Sequence, residues 1–297
     1  MYIDKSGNKW YKGNLHTHTT NSDGVLSPES VKKLYRDMGY DFIALTDHWY
    51  YGAGAERDPS GLLVLSGVEY NFNGIDVIKG VYHILSIGAP TEPEVTREDT
   101  AQEAIDKINE AGGLAVLAHP CWSMNTHDMV SSLKGVFATE IYNSISGVPF
   151  NCRPYSGEVI DLMAARGHIL PLIADDDSHF YKGEEGMSYI MVNLKDEELS
   201  AEGLMKALRN GDFIATQGPF FSLEREGDEV ILRSETPLSL VTFFTDRVYE
   251  EDRCAVMKDE PIYEARFRIK RGMNSFVRAE CRSLDGKLGF TRIIPIE

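Results

Sequence analysis

From Trp10 to about Asn193 the chain repeats one pattern: a short apolar run, a polar break, then a stretch in which apolar residues recur at helical spacing. A rhythm of that kind builds βα units, each strand covered by the helix that follows it. The first run leads into "GNLHTHTTNSDG", and "DFIALTDH", "LLVLSGVEY", "VYHILSIG", "LAVLAHP", "GVFATEIYN" and "HILPLIADDDSH" follow in order. "DFIALTDH" reads as a buried strand, and "LLVLSGVEY" and "VYHILSIG" are rich in branched apolar residues, as parallel strands buried on both faces are. Between the first two runs, Ser27 is placed as an N-cap and Pro28 in a first helical turn; Val31, Leu34, Tyr35 and Met38 give an apolar face, and Gly39 a stop. Thr100 and Glu103 form a capping box ahead of Ala104, Ile105 and Ile108, with Gly112 and Gly113 ending that helix. About seven such units are present, a number that predicts a closed (β/α) barrel over an open sheet.

After the helix that ends "LMKALRNG" the texture changes. "LVTFFTD", "IYEARFRIK", "SFVRAECRS" and "LGFTRIIPI" alternate as antiparallel strands do, and Asp285 and Gly286 suit a hairpin turn. The expected organisation is a barrel over residues 1–216 followed by a small antiparallel β domain over 217–297. Acidic stretches such as "KDEEL" and "EREGDE" read as solvated faces.

With 297 residues, 42% of them hydrophobic, the chain can bury a full core. Its formal net charge of −16 disfavours nonspecific binding to nucleic acid or anionic membranes. The four cysteines show no CxxC spacing, so they read as free thiols in a reducing compartment and exclude a cysteine-built zinc site. "MYIDKSGNKWYKG" has no apolar signal core, and no stretch has membrane-spanning length without charges, so a soluble cytoplasmic protein is expected.

In a βα barrel the C-terminal strand ends converge on one face, where polar residues distant in number can meet. His16 and His18 close the first run, and two residues apart on an extended segment they share a face and can reach one metal. Asp23 lies just beyond. Asp47 and His48 close the second run, Glu69 the third and His119 the fifth, and Asp177 and His179 follow the seventh. His83 breaks the pattern, lying early in its run. Taken singly, each of these is more often a cap, a turn former or a structural histidine. Jointly that reading weakens, because six of the 8 histidines sit in or beside apolar runs with carboxylates at matching positions. His168, at what should be the opposite strand end, reads as structural, and His127 as an exposed loop residue.

The ordered series "HTHTTNSDG", "LTDH", "GVEY", "YHIL", "AHP" and "DDSH" resembles the motif set of the polymerase and histidinol phosphatase (PHP) superfamily of metal-dependent phosphoesterases. The match runs through about Thr216, and the tail from "FIATQGPF" onward resembles the small β extension of one branch. The resemblance implies a distorted seven-stranded barrel holding two or three divalent ions at its strand ends. It places His16, His18, Glu69 and Asp177 on a first metal, Glu69, His83 and His119 on a second, and Asp23, His48 and His179 on a third. It also implies catalytic roles for Glu69, Asp177 and His179. The mixed histidine and carboxylate set suits Zn, Mn or Fe better than Mg or Ca.

The activity so implied is hydrolysis of small phosphate mono- or diesters, of nucleotide or sugar phosphate type, by a metal-bridging hydroxide, with Glu69 as the bridge. The expected partner is a small phosphorylated substrate, with no long nucleic acid and no membrane. Asp47 is expected to orient a ligand histidine. Arg153 in "NCRPYS" is the candidate for binding substrate phosphate, against an equal expectation of a surface arginine. Lys182 and Gln217 are weaker candidates, and Glu140 and Asn143 either line the site or are structural. Two alternatives remain open: the same metals hydrolysing a carboxyl or carbamate ester, and a non-enzymatic, metal-stabilised binding module.

Overall fold

The apolar runs do form strands, but they divide between two sheets. The computed structural model describes residues 1–53, the backbone of 56–57, and residues 61–270 and 272–296. Lys9–Asn14, Phe42–Ala44 and Leu63–Leu65 are parallel neighbours in one sheet. Gly67–Phe72, Tyr82–Ile87, Leu114–Leu117, Ala138–Asn143 and Leu172–Asp175 make up a second, five-stranded sheet in that order. The third run is therefore split at Ser66–Gly67, where a Cβ on Gly67 would lie 2.5 Å from the Leu45 carbonyl oxygen.

The expected closed barrel is absent, for a visible reason. The strand Tyr189–Lys195 pairs antiparallel with Lys9–Asn14 and takes the edge against which the seventh run would have closed. The first strand instead continues through Tyr189–Lys195 and Phe213–Thr216 into the C-terminal strands, within one 14-stranded sheet. Isolated parallel bridges, Thr17 to Ser178 and His48 to Glu69, join the two sheets beside the polar run ends. The result is a mixed α/β fold whose sheets meet where the polar run ends lie.

One strand reverses direction. Tyr82–Ile87 runs antiparallel to both Gly67–Phe72 and Leu114–Leu117. The nine residues before it are too few for a crossover helix, so the chain returns as a hairpin. Its N-terminal end thus lies beside its neighbours' C-terminal ends: Ala118 N–H donates to the His83 carbonyl at 3.0 Å. This accounts for the early position of His83 in its run.

Helices cover the sheets. Pro28–Asp37 starts at Ser27, whose hydroxyl accepts from the Ser30 amide, and Ala101–Glu110 carries the full Thr100–Glu103 capping box. Ala101, Ala104, Ile105 and Ile108 bury one helical face against Val68, Ile84, Ala115 and Leu117. A second layer of core, from Leu15 and Phe42 through Leu85, Val116 and Ile173 to Leu204 and Leu208, lies between the sheets and the helix Ala201–Asn210. His127 does not lie in a loop; it opens the short helix His127–Ser132. Among the described residues no helix is long and apolar enough to cross a membrane.

Toward the C-terminus the long strand Glu229–Phe244 pairs with Phe221–Glu226, Cys254–Val256, Ile262–Arg268 and Phe276–Ser283. These strands have a core of their own, including Phe221, Val230, Leu232, Phe243 and Phe267. Arg278 fastens them to the helix Gly157–Ala164. Fully buried, it donates to both Asp161 carboxylate oxygens at 2.5 and 2.8 Å, and it also engages Glu280 and the Tyr155 hydroxyl. Removing one partner of a buried ion pair typically costs about 3–5 kcal/mol. Because Asp161 stays partly exposed, Arg278→Leu is expected at the low end, about 3 kcal/mol of unfolding free energy by urea titration; a loss below about 1 kcal/mol would show that the clamp is not needed.

Candidate metal centre

The sequence "GNLHTHTT" leaves the first strand and is pinned on both sides. The Leu15 amide donates to Asp175 Oδ1 at 2.8 Å, the Asp177 amide to the His16 carbonyl at 2.8 Å, and the His18 amide to the Ser178 carbonyl at 3.0 Å. On the other side the Thr46 amide donates to the Thr17 carbonyl at 2.8 Å. Held extended, His16 and His18 turn to one side. Both Nε2 atoms lie 3.1 Å from Asp177 Oδ1, and they lie 3.3 and 3.1 Å from Glu69 Oε2.

Glu69 joins this group to a second. Its Oε1 is 2.7 Å from His83 Nδ1 and 3.5 Å from His119 Nε2. A third group forms at the rim, where Asp23 lies 3.4 Å from His179 Nε2 and 3.8 Å from His48 Nε2. In each of the sets His16, His18, Glu69 and Asp177; Glu69, His83 and His119; and His18, Asp23, His48 and His179, one ligand atom per residue falls within 4.8 Å of the others. The structure thus brings together all nine candidate ligands, and it adds His18 to the rim group through a nitrogen 3.6 Å from Asp23. Two of these residues, His119 and Asp177, have positive φ of 28° and 55°. Backbone strain of that kind collects where a function demands an exact side-chain direction.

The donor set fits divalent cations. His16 Nε2, His18 Nε2, His48 Nδ1 and Asp177 Oδ1 are all buried without a hydrogen-bond partner. Buried polar atoms are rarely left so, and here their lone pairs gather in one place. The charge balance is also that of a cation site. Burial opposes charging His16 and His18, yet Asp177 and Glu69 overcome it, raising His16 well above the imidazole range and His18 to about 9. Burial likewise opposes ionising Glu69 and Asp177, and the surrounding histidines hold both well below the carboxylate range. Without a cation these carboxylates favour protons on His16 and His18, whereas burial pushes His48 and His83 down, and a metal ion would displace the protons.

Glu140 and Asn143 stand behind the ligands and do not line the site. Glu140 takes hydrogen bonds from His16 Nδ1 at 2.7 Å, the His119 amide at 2.8 Å and Asn143 Nδ2 at 2.7 Å, and Asn143 also donates to Asp177 Oδ2 at 3.1 Å. The histidine-orienting role expected of Asp47 is therefore filled by Glu140. Asp47 instead holds the loop after His18, through the Thr19 amide and hydroxyl at 2.7 Å and the Ser22 hydroxyl at 2.8 Å.

A cavity of about 210 Å³ opens over the ligands, walled by Trp122, Ile145, Ser146, Asn151 and Phe180. None of these five was singled out in the sequence, although Trp122 follows His119 by three residues and Phe180 follows His179 directly. Arg153 is exposed and does not line the cavity. Lys182 is exposed too, and Gln217 is spent on Ser188 and the Leu288 amide. His168 lies away from the cluster, 3.5 Å from Lys134 Nζ.

No protein-family model matches the chain. An uncharacterized protein of Methanocaldococcus jannaschii is 27% identical over 152 residues, 45% of this chain and 82% of that protein. A 5'-3' exoribonuclease of Haemophilus influenzae is 34% identical over 116 residues, 34% of this chain and 41% of the exoribonuclease. Among solved structures, a two-domain protein of Bacteroides vulgatus containing a predicted PHP-like metal-dependent phosphoesterase matches over 99% of this chain and 98% of its own, with 18% identity and a TM-score of 0.55. The chain shares the fold of that two-domain protein along nearly its whole length.

Protein reconstituted with Mn, Zn or Fe is expected to hold at least two ions per chain by elemental analysis. Glu69→Ala should empty both groups that Glu69 joins; one ion or fewer in the parent, or unchanged content in the variant, would refute the shared-carboxylate arrangement.

Proposed function

We propose that the chain is a metal-dependent hydrolase of small phosphate esters, its ions held by His16, His18, Asp23, His48, Glu69, His83, His119, Asp177 and His179. One observation carries this reading: the ligand atoms of three adjoining groups, several without hydrogen-bond partners, converge beneath an open cavity. A structural zinc site closes with four ligands and needs no cavity. When bound, divalent ions lower the pKa of a coordinated water and place positive charge over phosphoryl oxygens.

The chain's own groups set the geometry for that chemistry. Glu69 offers one oxygen to each of two groups, fixing their separation. Glu140 accepts from His16 Nδ1, which leaves Nε2 as the free lone pair. The same logic applies to His179. Its Nδ1 lies 2.8 Å from the Asp177 carbonyl oxygen, which can only accept, so Nδ1 donates there and Nε2 is the nitrogen turned toward Asp23. With Nδ1 so engaged, Nε2 is the atom by which His179 would join Asp23 in holding a cation.

The expectation against long nucleic acid is set aside. It rests on net charge and on the lack of a basic, aromatic-studded stripe in the sequence, and the Haemophilus influenzae relative is named as an exoribonuclease. A panel of phosphate esters, carboxyl esters and carbamates assayed on metal-loaded protein tests the reaction class, with turnover expected on the phosphate esters; turnover confined to the others would replace the proposal. Asp177→Asn removes a negative charge at constant shape and should lower kcat by a factor of 100 or more, in the range of about 10²–10³ seen for loss of one electrostatic contact to a transition state. A normal kcat would remove Asp177 from the mechanism. His179→Ala should slow alkyl phosphates and p-nitrophenyl phosphate equally, whereas a loss confined to the alkyl esters would make His179 the proton donor.

A further inference from the structure

The cavity over the candidate ligands is walled by two aromatic side chains, Trp122 and Phe180. Trp122 packs edge-on against His83 and His119, with ring centroids 5.5 and 4.9 Å away. Across the mouth Phe180, next in the chain after His179, lies 6.2 Å from the His179 ring. Phe180 is 42% exposed, unusual for a phenylalanine held this firmly. Its backbone amide donates to the buried Glu184, and Phe150 stacks on one side of its ring at 5.1 Å and 29°. Phe150 does not line the cavity, so the pair presents a braced aromatic edge at the rim.

Among the described residues no lysine or arginine lines this cavity, and the Asp23 side chain at its rim is 57% exposed. One phosphoryl group seated on the ligands would meet the cations they hold. A second phosphate further out would find no described lysine or arginine in the cavity wall and would face Asp23. What lies beyond the first phosphate should therefore be uncharged, and the surface offered to it is aromatic.

We infer that Phe180, braced by Phe150, is the stacking platform for a heteroaromatic ring on the substrate's alcohol, and that the preferred substrate is a nucleoside monophosphate, neither a sugar phosphate nor a polyphosphate. Stacking a base on an aromatic side chain is sequence-tolerant because every base has a π face. Asn151, exposed and also lining the cavity, adds a polar side chain to the same wall. The inference rests on the phosphoesterase reading and narrows it.

The test compares adenosine 5'-monophosphate with ribose 5-phosphate, which lacks the base, on metal-loaded protein, with ATP and a short oligoribonucleotide as further arms. Parent protein should prefer adenosine monophosphate over ribose 5-phosphate by roughly 5- to 150-fold in kcat/KM, the size of one stacked base, and over ATP as well. Phe180→Ala should pull that ratio toward one, chiefly through KM, while Phe180→Tyr keeps it. Saturation-transfer NMR on chelator-treated protein gives a readout independent of turnover, in which the base protons of adenosine receive magnetisation in the parent and lose it in Phe180→Ala. Equal turnover of the two monophosphates, a ratio unmoved in Phe180→Ala, or preference for the oligoribonucleotide overturns the platform and leaves the phosphoesterase reading standing. No hydrolysis of any phosphate ester overturns both.

Discussion

One buried carboxylate organises this protein. Glu69 is 1% exposed, and five imidazoles stand within 3.5 Å of its two oxygens: His16, His18 and His48 on one, His83 and His119 on the other. A carboxylate so deep in a fold is costly unless it is paired. Its partners come from four separate segments of the chain, and each is delivered by a different strand end. The split of the third run at Gly67, the bridge from His48 to Glu69, and the reversed strand carrying His83 all serve to bring those ends to the same carboxylate. Asp177 repeats the device on a smaller scale, and its left-handed backbone is fixed by the amide bond to His16.

Much of this could be read from residue order, for a physical reason. Strand interiors are chosen by burial, so apolar runs mark them. Polar residues at their ends break that pattern only where something other than core packing selects them, which is why most of the nine candidate ligands stood out. The helix caps at Ser27 and Thr100 are equally local and appear as read. Barrel closure was not legible, because it depends on which strand takes an edge. Nothing in the sequence of Lys9–Asn14 says that Tyr189–Lys195 will pair there. Strand direction was hidden as well: a periodic run reads the same forwards and backwards, so His83 looked misplaced until the hairpin turned it round.

The supporting layer was harder to see than the ligands. Glu140 and Asn143 sit within an ordinary strand, and only the fold shows that their polar atoms point to His16, His119 and Asp177. Asp47 shows the converse, a residue adjacent to a ligand in sequence that works on a loop instead. Trp122 and Phe180 are ordinary aromatics in a chain with many, and their place at the cavity wall comes from the turns after His119 and His179. The C-terminal strands add no group to the site. Their tie to it is mechanical, through the continuous sheet and the buried Arg278.

The central claim is that Glu69 holds two cations at once, one with each oxygen. Anomalous diffraction from crystals loaded with Mn or Zn, recorded on either side of the absorption edge, tests it directly. The account predicts one peak among His16, His18, Glu69 and Asp177 and a second among Glu69, His83 and His119, roughly 3.5–4 Å apart as in two-metal sites. A single peak, or peaks that Glu69 does not join, would contradict it.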